Sequence, residues 1–228
     1  MNRLISCISL LFLISFSSFP QNFLSTSGKS IVNEMGDTII LRGMGLGGWM
    51  VQEGYMMAPG GFSSTQYQIR DKLTELIGPQ ETDIFYDNWL SNHVRKIDID
   101  SMKQWGFNLV RAPIHYNLFT EPIQNEPYPF AYTEKQKGYQ LLDSLLSWCK
   151  QNEIYLMIDL HAAPGGQGYN ADISDYDPSK PSLWESVYNQ RKTVDLWKRI
   201  AQRYKDEEWI AGYDLINEPN WDIPEGKL

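Results

Sequence analysis

Cysteine is nearly absent. The 228 residues hold two, and Cys7 lies in an apolar N-terminal stretch. A disulfide framework is therefore excluded and a hydrophobic core must carry the fold, which an apolar content of 42% allows. Basic runs are missing as well. The formal net charge is −8 with Lys and Arg scattered, which argues against a nucleic-acid partner, since that would call for a basic face. The three histidines, His93, His115 and His161, form neither an H-x-H nor an H-E-x-x-H pattern, so neither a catalytic metal nor another cofactor is expected. No apolar stretch spans a bilayer comfortably: Leu4 to Phe16 is too short. With Arg3 before it and Ser15-Phe16-Ser17 as a small-x-small cleavage site, it reads as a secretory signal. Residues 1–17 are thus expected to be a signal peptide. The product would be secreted, extracellular or periplasmic, with no membrane anchor after cleavage. Cys149 then stays alone, on a helical segment, as a buried and inert thiol.

Aromatic residues, by contrast, are plentiful: 8 Trp, 13 Tyr and 9 Phe. Rings stack on the apolar faces of sugars, but filling the core is their commoner use.

No low-complexity linker or short repeat divides residues 18–228, which read as one domain. Two apolar runs around Glu34-Met35-Gly36-Asp37 predict a hairpin, followed by a further extended piece near Ile40. Helices are expected over Ser63–Gly78, with a Ser cap, and over Gln80–Leu90, Val94–Trp105, Glu134–Gln151 and Gln190–Tyr204. Between them lie nearly continuous apolar strands: Phe107–Ile114, a run from Ile154, and Ile210–Ile216. Strands of that kind are covered on both faces, which means a parallel α/β sheet. A doubly wound sheet and a (β/α)8 barrel both fit. Arg111, His161, and Asn217 with Glu218, each read at a strand's C-terminal tip, favour the barrel, whose enzymes gather their sites on one rim. A complete barrel takes about 250 residues. Only four strands can be counted, so the expectation is a barrel broken after the fourth.

The stretch "WIAGYDLINEPNWD" delivers Asn217, Glu218 and Pro219 in succession at the end of a strand. Pro219 disfavours helix at Glu218, which keeps the carboxyl out over the rim. A lone strand-end Glu is commonly an ion-pair partner, so this motif is suggestive only in context. Three other patterns fail on context. Gly43, Gly45 and Gly48 spell G-x-G-x-x-G, but no helix opens after them. "DISDYDPS" lacks the Gly and the closing Glu of a calcium-binding EF-hand loop and reads as solvated. His93 sits on a charged helix and reads as a surface residue.

"LRGMGLGGWMVQEGY", "GFNLVRAPIHY", "IDLHAAPGGQ" and "YDLINEPN" occur in that order. Together they resemble glycoside hydrolase family 5, and more narrowly its exo-β-1,3-glucanase-like branch, whose first motif reads close to R-G-x-N-L-G-G-W-L-V-x-E. The resemblance covers nearly all of the chain after residue 17. It implies a (β/α)8 barrel and a retaining mechanism with two carboxyl groups about 5 to 5.5 Å apart. By position, Glu218 matches the general acid/base, with a pKa brought near working pH by partial burial or a nearby carboxylate. Asn217 matches the residue that binds the 2-hydroxyl. Arg111 and His161 match the pair that orients the carboxylates, Glu53 a grip on hydroxyls of the terminal sugar, and Tyr116 a subsite aromatic. The nucleophile belongs on the seventh strand, and none of these residues supplies it, so the piece alone is expected to be inactive. The implied partner is a β-glucan polysaccharide or oligosaccharide, β-1,3-linked by preference with β-1,4 and β-1,6 open, and the full-length enzyme a monomer. Gly45 stands where the branch usually carries Asn, and the long loop from Gly165 to Trp184 leaves room for altered preference. A non-catalytic carbohydrate-binding protein on the same scaffold is the alternative, and a Glu ending a later apolar strand would decide for the enzyme.

Overall fold

The computed structural model describes residues 23–57, 61 and 63–222; the expected signal peptide lies outside them. Strands β1 (Ser25–Ser27) and β2 (Ser30–Val32) pair antiparallel. The expected turn follows: Asn33 N–H donates to the Asp37 carbonyl, and Val32 bridges Thr38. The N-terminal piece is thus a small meander. Its first turn escaped the hydrophobic pattern because β1 is an exposed Ser-Thr-Ser run.

Then come β3 (Gly43–Gly45) and α1 (Gly54–Met57), followed by α2 (Gln66–Ile77), α3 (Pro79–Asn92) and α4 (Lys96–Gln104). Next are β4 (Leu109–His115), two single 3-10 turns, α5 (Lys137–Gln151) and β5 (Tyr155–Ala162). Last are α6 (Ala171–Ser174), α7 (Val187–Tyr204) and β6 (Ile210–Asp214). The short α1 and α6 were not expected. Helix α2 is capped by Thr65 rather than by the serines before it. Thr65 Oγ1 accepts the Gln68 N–H at 3.2 Å while the Gln68 side chain accepts from the Thr65 N–H, a reciprocal capping box.

The second sheet is parallel throughout, in the order β3-β4-β5-β6. Each strand lies beside the one that follows it in the chain. A doubly wound sheet reverses direction at its switch point, and this sheet does not, so the barrel alternative holds. Register sorts the side chains onto two faces. Arg111 pairs with Met157, and Asp159 with both Pro113 and Asp214, so these alternate residues share one side. The intervening ones, Val110, Ala112, Ile114, Leu156, Ile158 and Leu160, are fully buried on the other. There they meet Ile99 of α4, Leu142 and Leu145 of α5, and Leu196 and Ile200 of α7. Each fully buried Leu or Ile contributes about 1.5–3 kcal/mol. The apolar runs in the sequence are the core-facing half of strands whose other half is polar.

Cys149 is fully buried on α5, and burial pushes its thiol up to about 12, the inert state expected. Among the described residues no helix is long and apolar enough to cross a membrane.

Candidate active site

The polar face of the sheet converges on Arg111. Its Nη2 lies 2.9 Å from Asp159 Oδ2 and 2.9 Å from Asp214 Oδ2, and donates to Asn217 Oδ1 at 2.8 Å. Arg111 is not at the tip of β4, where the sequence put it, but third of the seven residues. Its long side chain spans the difference. One guanidinium thus fastens β5 and β6 together and fixes the Asn217 amide, whose Nδ2 is left to donate elsewhere.

His161, near the end of β5, sits between two carboxylates. Nδ1 is 2.7 Å from Asp159 Oδ2, and Nε2 is 3.3 Å from Glu53 Oε1 and 3.3 Å from Asn217 Nδ2. Burial would lower the ring's pKa, but the hydrogen bonds and charges of Asp159 and Glu53 reverse that and raise it to about 9. Asp159 is fully buried, and its Oδ1 has no hydrogen-bond partner among the described residues. Burial pushes that carboxyl up, against the pull of His161 and Arg111.

Glu53 enters from the segment after β3 and is 3% exposed. Burial would raise its pKa. Hydrogen bonds from His161 and Tyr55, with the charges of His161 and Arg111, outweigh burial and hold it below the ordinary carboxylate range. Tyr55 itself is pushed up to about 12 by its bond to Glu53, by burial, and by the charges of Glu53, Asp172 and Glu218. The chain turns here through Gly54, whose N–H donates to the Ser64 carbonyl at 2.9 Å. A Cβ at that position would lie 2.2 Å from the same oxygen, so only glycine lets the two segments touch.

Asn217 is buried, and its N–H donates to the Leu160 carbonyl at 3.1 Å. Gln167, fully buried in the loop after β5, clamps it from behind. Gln167 Nε2 donates to the carbonyls of His161 at 2.7 Å and Asn217 at 2.9 Å, and its Oε1 accepts the Ala163 N–H at 3.1 Å. Glu218 follows with φ 41°, a left-handed conformation that costs a non-glycine residue of order 1–3 kcal/mol. Its side chain is exposed, so the expected partial burial is not there. Beneath it runs Gly168, where a Cβ would sit 2.3 Å from Asn220 Oδ1 and 3.3 Å from the Glu218 carbonyl.

Five of the six residues singled out in the sequence are therefore assembled: Glu53, Arg111, His161 and Asn217 interlock, and Glu218 is the next residue on. Tyr116 stands apart. It occupies the 3-10 turn after β4, packs on His115 with ring centroids 5.1 Å apart, and lines a separate cavity of about 790 Å³ with Tyr67 and Tyr86. The loop read as solvated is tied in as well. Asp175 Oδ1 accepts the Tyr67 N–H at 2.9 Å, and Oδ2 lies 2.9 Å from His115 Nε2. Because His115 Nδ1 accepts the Asn117 N–H at 3.1 Å, it is Nε2 that donates to Asp175. No group of three or more His, Cys, Asp or Glu among the described residues could hold a metal. No helix opens behind Gly43, Gly45 and Gly48 until Gly54, and His93 is exposed, stacked on Trp89 at 4.5 Å.

Asp159, Asp214 and Gln167 were missed. The first two carried a signal: an acid inside an otherwise apolar strand must find a partner on folding.

Comparison with known proteins bears on family and fold. A family model described as Cellulase (glycosyl hydrolase family 5) matches residues 68–225. A protein named "Beta-xylosidase" from Phanerodontia chrysosporium is 35% identical over 198 residues, covering 86% of this chain and 39% of that protein. A "Probable glucan 1,3-beta-glucosidase A" from Aspergillus niger is 32% identical over 189 residues, covering 82% of this chain and 42% of its own length. The solved rutinosidase from Aspergillus niger shares the fold with a TM-score of 0.62 at 17% identity, over 78% of this chain and 48% of that one. The chain spans about two fifths of the length of the curated relatives it matches.

Proposed function

The chain belongs to glycosyl hydrolase family 5, and from that premise we propose that it serves a secreted, retaining glycoside hydrolase cleaving β-glucosidic bonds of a β-glucan, with Glu218 as general acid/base. One observation carries the reading: the Arg111 network holds Asn217, and with it Glu218, at the C-terminal end of the parallel sheet, beside Glu53 and His161. Asn217 Oδ1 is occupied by Arg111, which leaves Nδ2 as the donor for a sugar 2-hydroxyl. Glu53, with its pKa lowered, is a permanent acceptor for hydroxyls of the terminal sugar, and Tyr55 stands with it.

In the first step a nucleophilic carboxylate bonds to the anomeric carbon while the glycosidic C–O bond breaks and Glu218 gives its proton to the leaving oxygen. In the second, water attacks the glycosyl–enzyme bond and Glu218 takes the water's proton. The exposed position of Glu218 suits exchange of that proton with solvent. The family resemblance puts the nucleophile on a seventh strand, so in this reading it comes from outside the 228 residues. The chain by itself is then inactive. The preferred substrate is a β-1,3-glucan, as with the relatives named glucan 1,3-beta-glucosidase.

The test uses a protein extended to the length of those relatives. Glu218→Gln is expected to lower kcat on β-1,3-glucan by about 10²–10⁴-fold. Near-normal turnover by that variant refutes the assignment. A second reading, a β-xyloside substrate, is favoured by the 35% identity to the protein named "Beta-xylosidase". Comparing kcat/KM on aryl β-glucoside and aryl β-xyloside separates the two.

A further inference from the structure

Where the start of α7 meets the segment before α5, the chain runs Glu126, Pro127, Tyr128, Pro129, Phe130. With Tyr188, Arg191 and Asp195 of α7 these residues line a cavity of about 360 Å³, and no residue of the Glu218 cluster lines it. Tyr128, Phe130 and Tyr188 are 67%, 57% and 40% exposed, although large aromatics ordinarily bury most of their surface. The Phe130 and Tyr188 rings are splayed, with centroids 4.6 Å apart at 48°.

The rings are displayed by a stiff support. Lys192 ion-pairs with Glu126, both 3% exposed, and also donates to Thr120 Oγ1 at 3.1 Å and to the Ala131 carbonyl at 3.2 Å. Glu126 in turn accepts the Thr133 N–H at 3.0 Å and the Thr133 hydroxyl at 2.7 Å. Both ends of the aromatic segment are thus fastened, and the two prolines fix φ between them. Phe130 is held at φ 63°, which a bulky residue adopts only when its surroundings enforce it. A segment held this way has little freedom left to lose when a ligand arrives.

A cavity of this size, aromatic with a few polar groups at its edge, has the make-up of a ligand site. Its charges cancel: Lys192 meets Glu126, and Arg191 Nε lies 3.2 Å from Asp195 Oδ2. A neutral ligand fits that balance better than an anion or a cation. It must offer flat C–H faces to the rings and hydroxyls to Arg191 and Asp195. We infer that Tyr128, Phe130 and Tyr188 form a second carbohydrate-binding site, which holds a neutral chain of β-linked pyranoses away from the catalytic cluster. The walls belong to α7 and the segment before α5, which Arg199–Glu134 also joins. The choice of a β-linked chain rests on the family 5 reading.

The test is affinity electrophoresis of the protein in native gels cast with soluble β-1,3-glucan or with β-1,4-xylan. Retardation by at least one is expected, with the apparent Kd raised about tenfold in Phe130→Ala/Tyr188→Ala, the loss of two stacked rings. Tyr128→Ala, a change at an exposed side chain, should weaken binding in the same gels, and unchanged thermal midpoints show that the variants fold. Absence of retardation, or equal retardation of the double variant, overturns the proposal. So does a dimer in sedimentation that the double variant abolishes, since the rings would then serve a second copy. If Glu218→Gln stays active while the gels still retard, the catalytic reading fails and this one stands.

Discussion

Titrating His161 should change the stability of the fold in a defined pH window. The ring's pKa rises from the ordinary 6.5 to about 9 because Asp159 and Glu53 face its two nitrogens. At 1.36 kcal/mol per pH unit, that corresponds to roughly 3 kcal/mol of stabilisation. The sign follows from the direction of the shift. Below pH 6.5 the ring is protonated in both folded and unfolded chains, and the stabilisation is fully present. Between 6.5 and about 9 the unfolded chain loses the proton that the folded one keeps, and stability falls. Above about 9 the contribution is gone. Urea unfolding at pH 6, 7.5 and 9.5 measures this, and His161→Gln supplies the reference for every other titrating group. The wild-type free energy should fall by roughly 3 kcal/mol more than the variant's across that interval. Parallel curves for the two proteins would show that the ring is not held as an imidazolium, and the electrostatic account of the site would fall with it.

The other expectations concern single positions. Lys192→Met leaves Glu126 buried without its cation and should cost about 3–5 kcal/mol in urea unfolding, with much of that recovered when Glu126→Leu is added. Gly168→Ala drives a methyl against Asn220 and the Glu218 carbonyl, so in the extended enzyme kcat should drop while unfolding changes by only about 1–3 kcal/mol. Cys149 should resist iodoacetamide in the native protein and react on unfolding, since the thiol is fully buried with its pKa pushed up to about 12; rapid native labelling, read by mass, would contradict this.

Much of the scaffold was legible because periodicity carries it. The runs before His115, His161 and Asn217 are long and apolar, and the helices between them carry apolar residues at helical spacing. Position along a strand was less legible. Arg111 read as a strand-end residue, yet it lies mid-strand, because how far neighbouring strands are staggered is set by pairing that no single strand encodes. The site was legible where a motif exposed it, at Glu53, His161, Asn217 and Glu218. It was obscure where a residue acts through others. Gln167 looks like any polar loop residue until its amide is seen joining two strand ends. Tyr116 lines a cavity of its own beside His115, because an aromatic just past a strand end can turn toward either side of the rim. Asp175, taken for a hydrated loop acid, shows the same dependence on a distant partner in His115.

The backbone at Glu218 has a further consequence. Glycine and asparagine occupy the left-handed region with little or no penalty, so conformational ease alone would place one of them there. Replacing the glutamate by either should raise the melting temperature while removing the carboxyl. The fold would rest more comfortably without the group that it holds out to solvent.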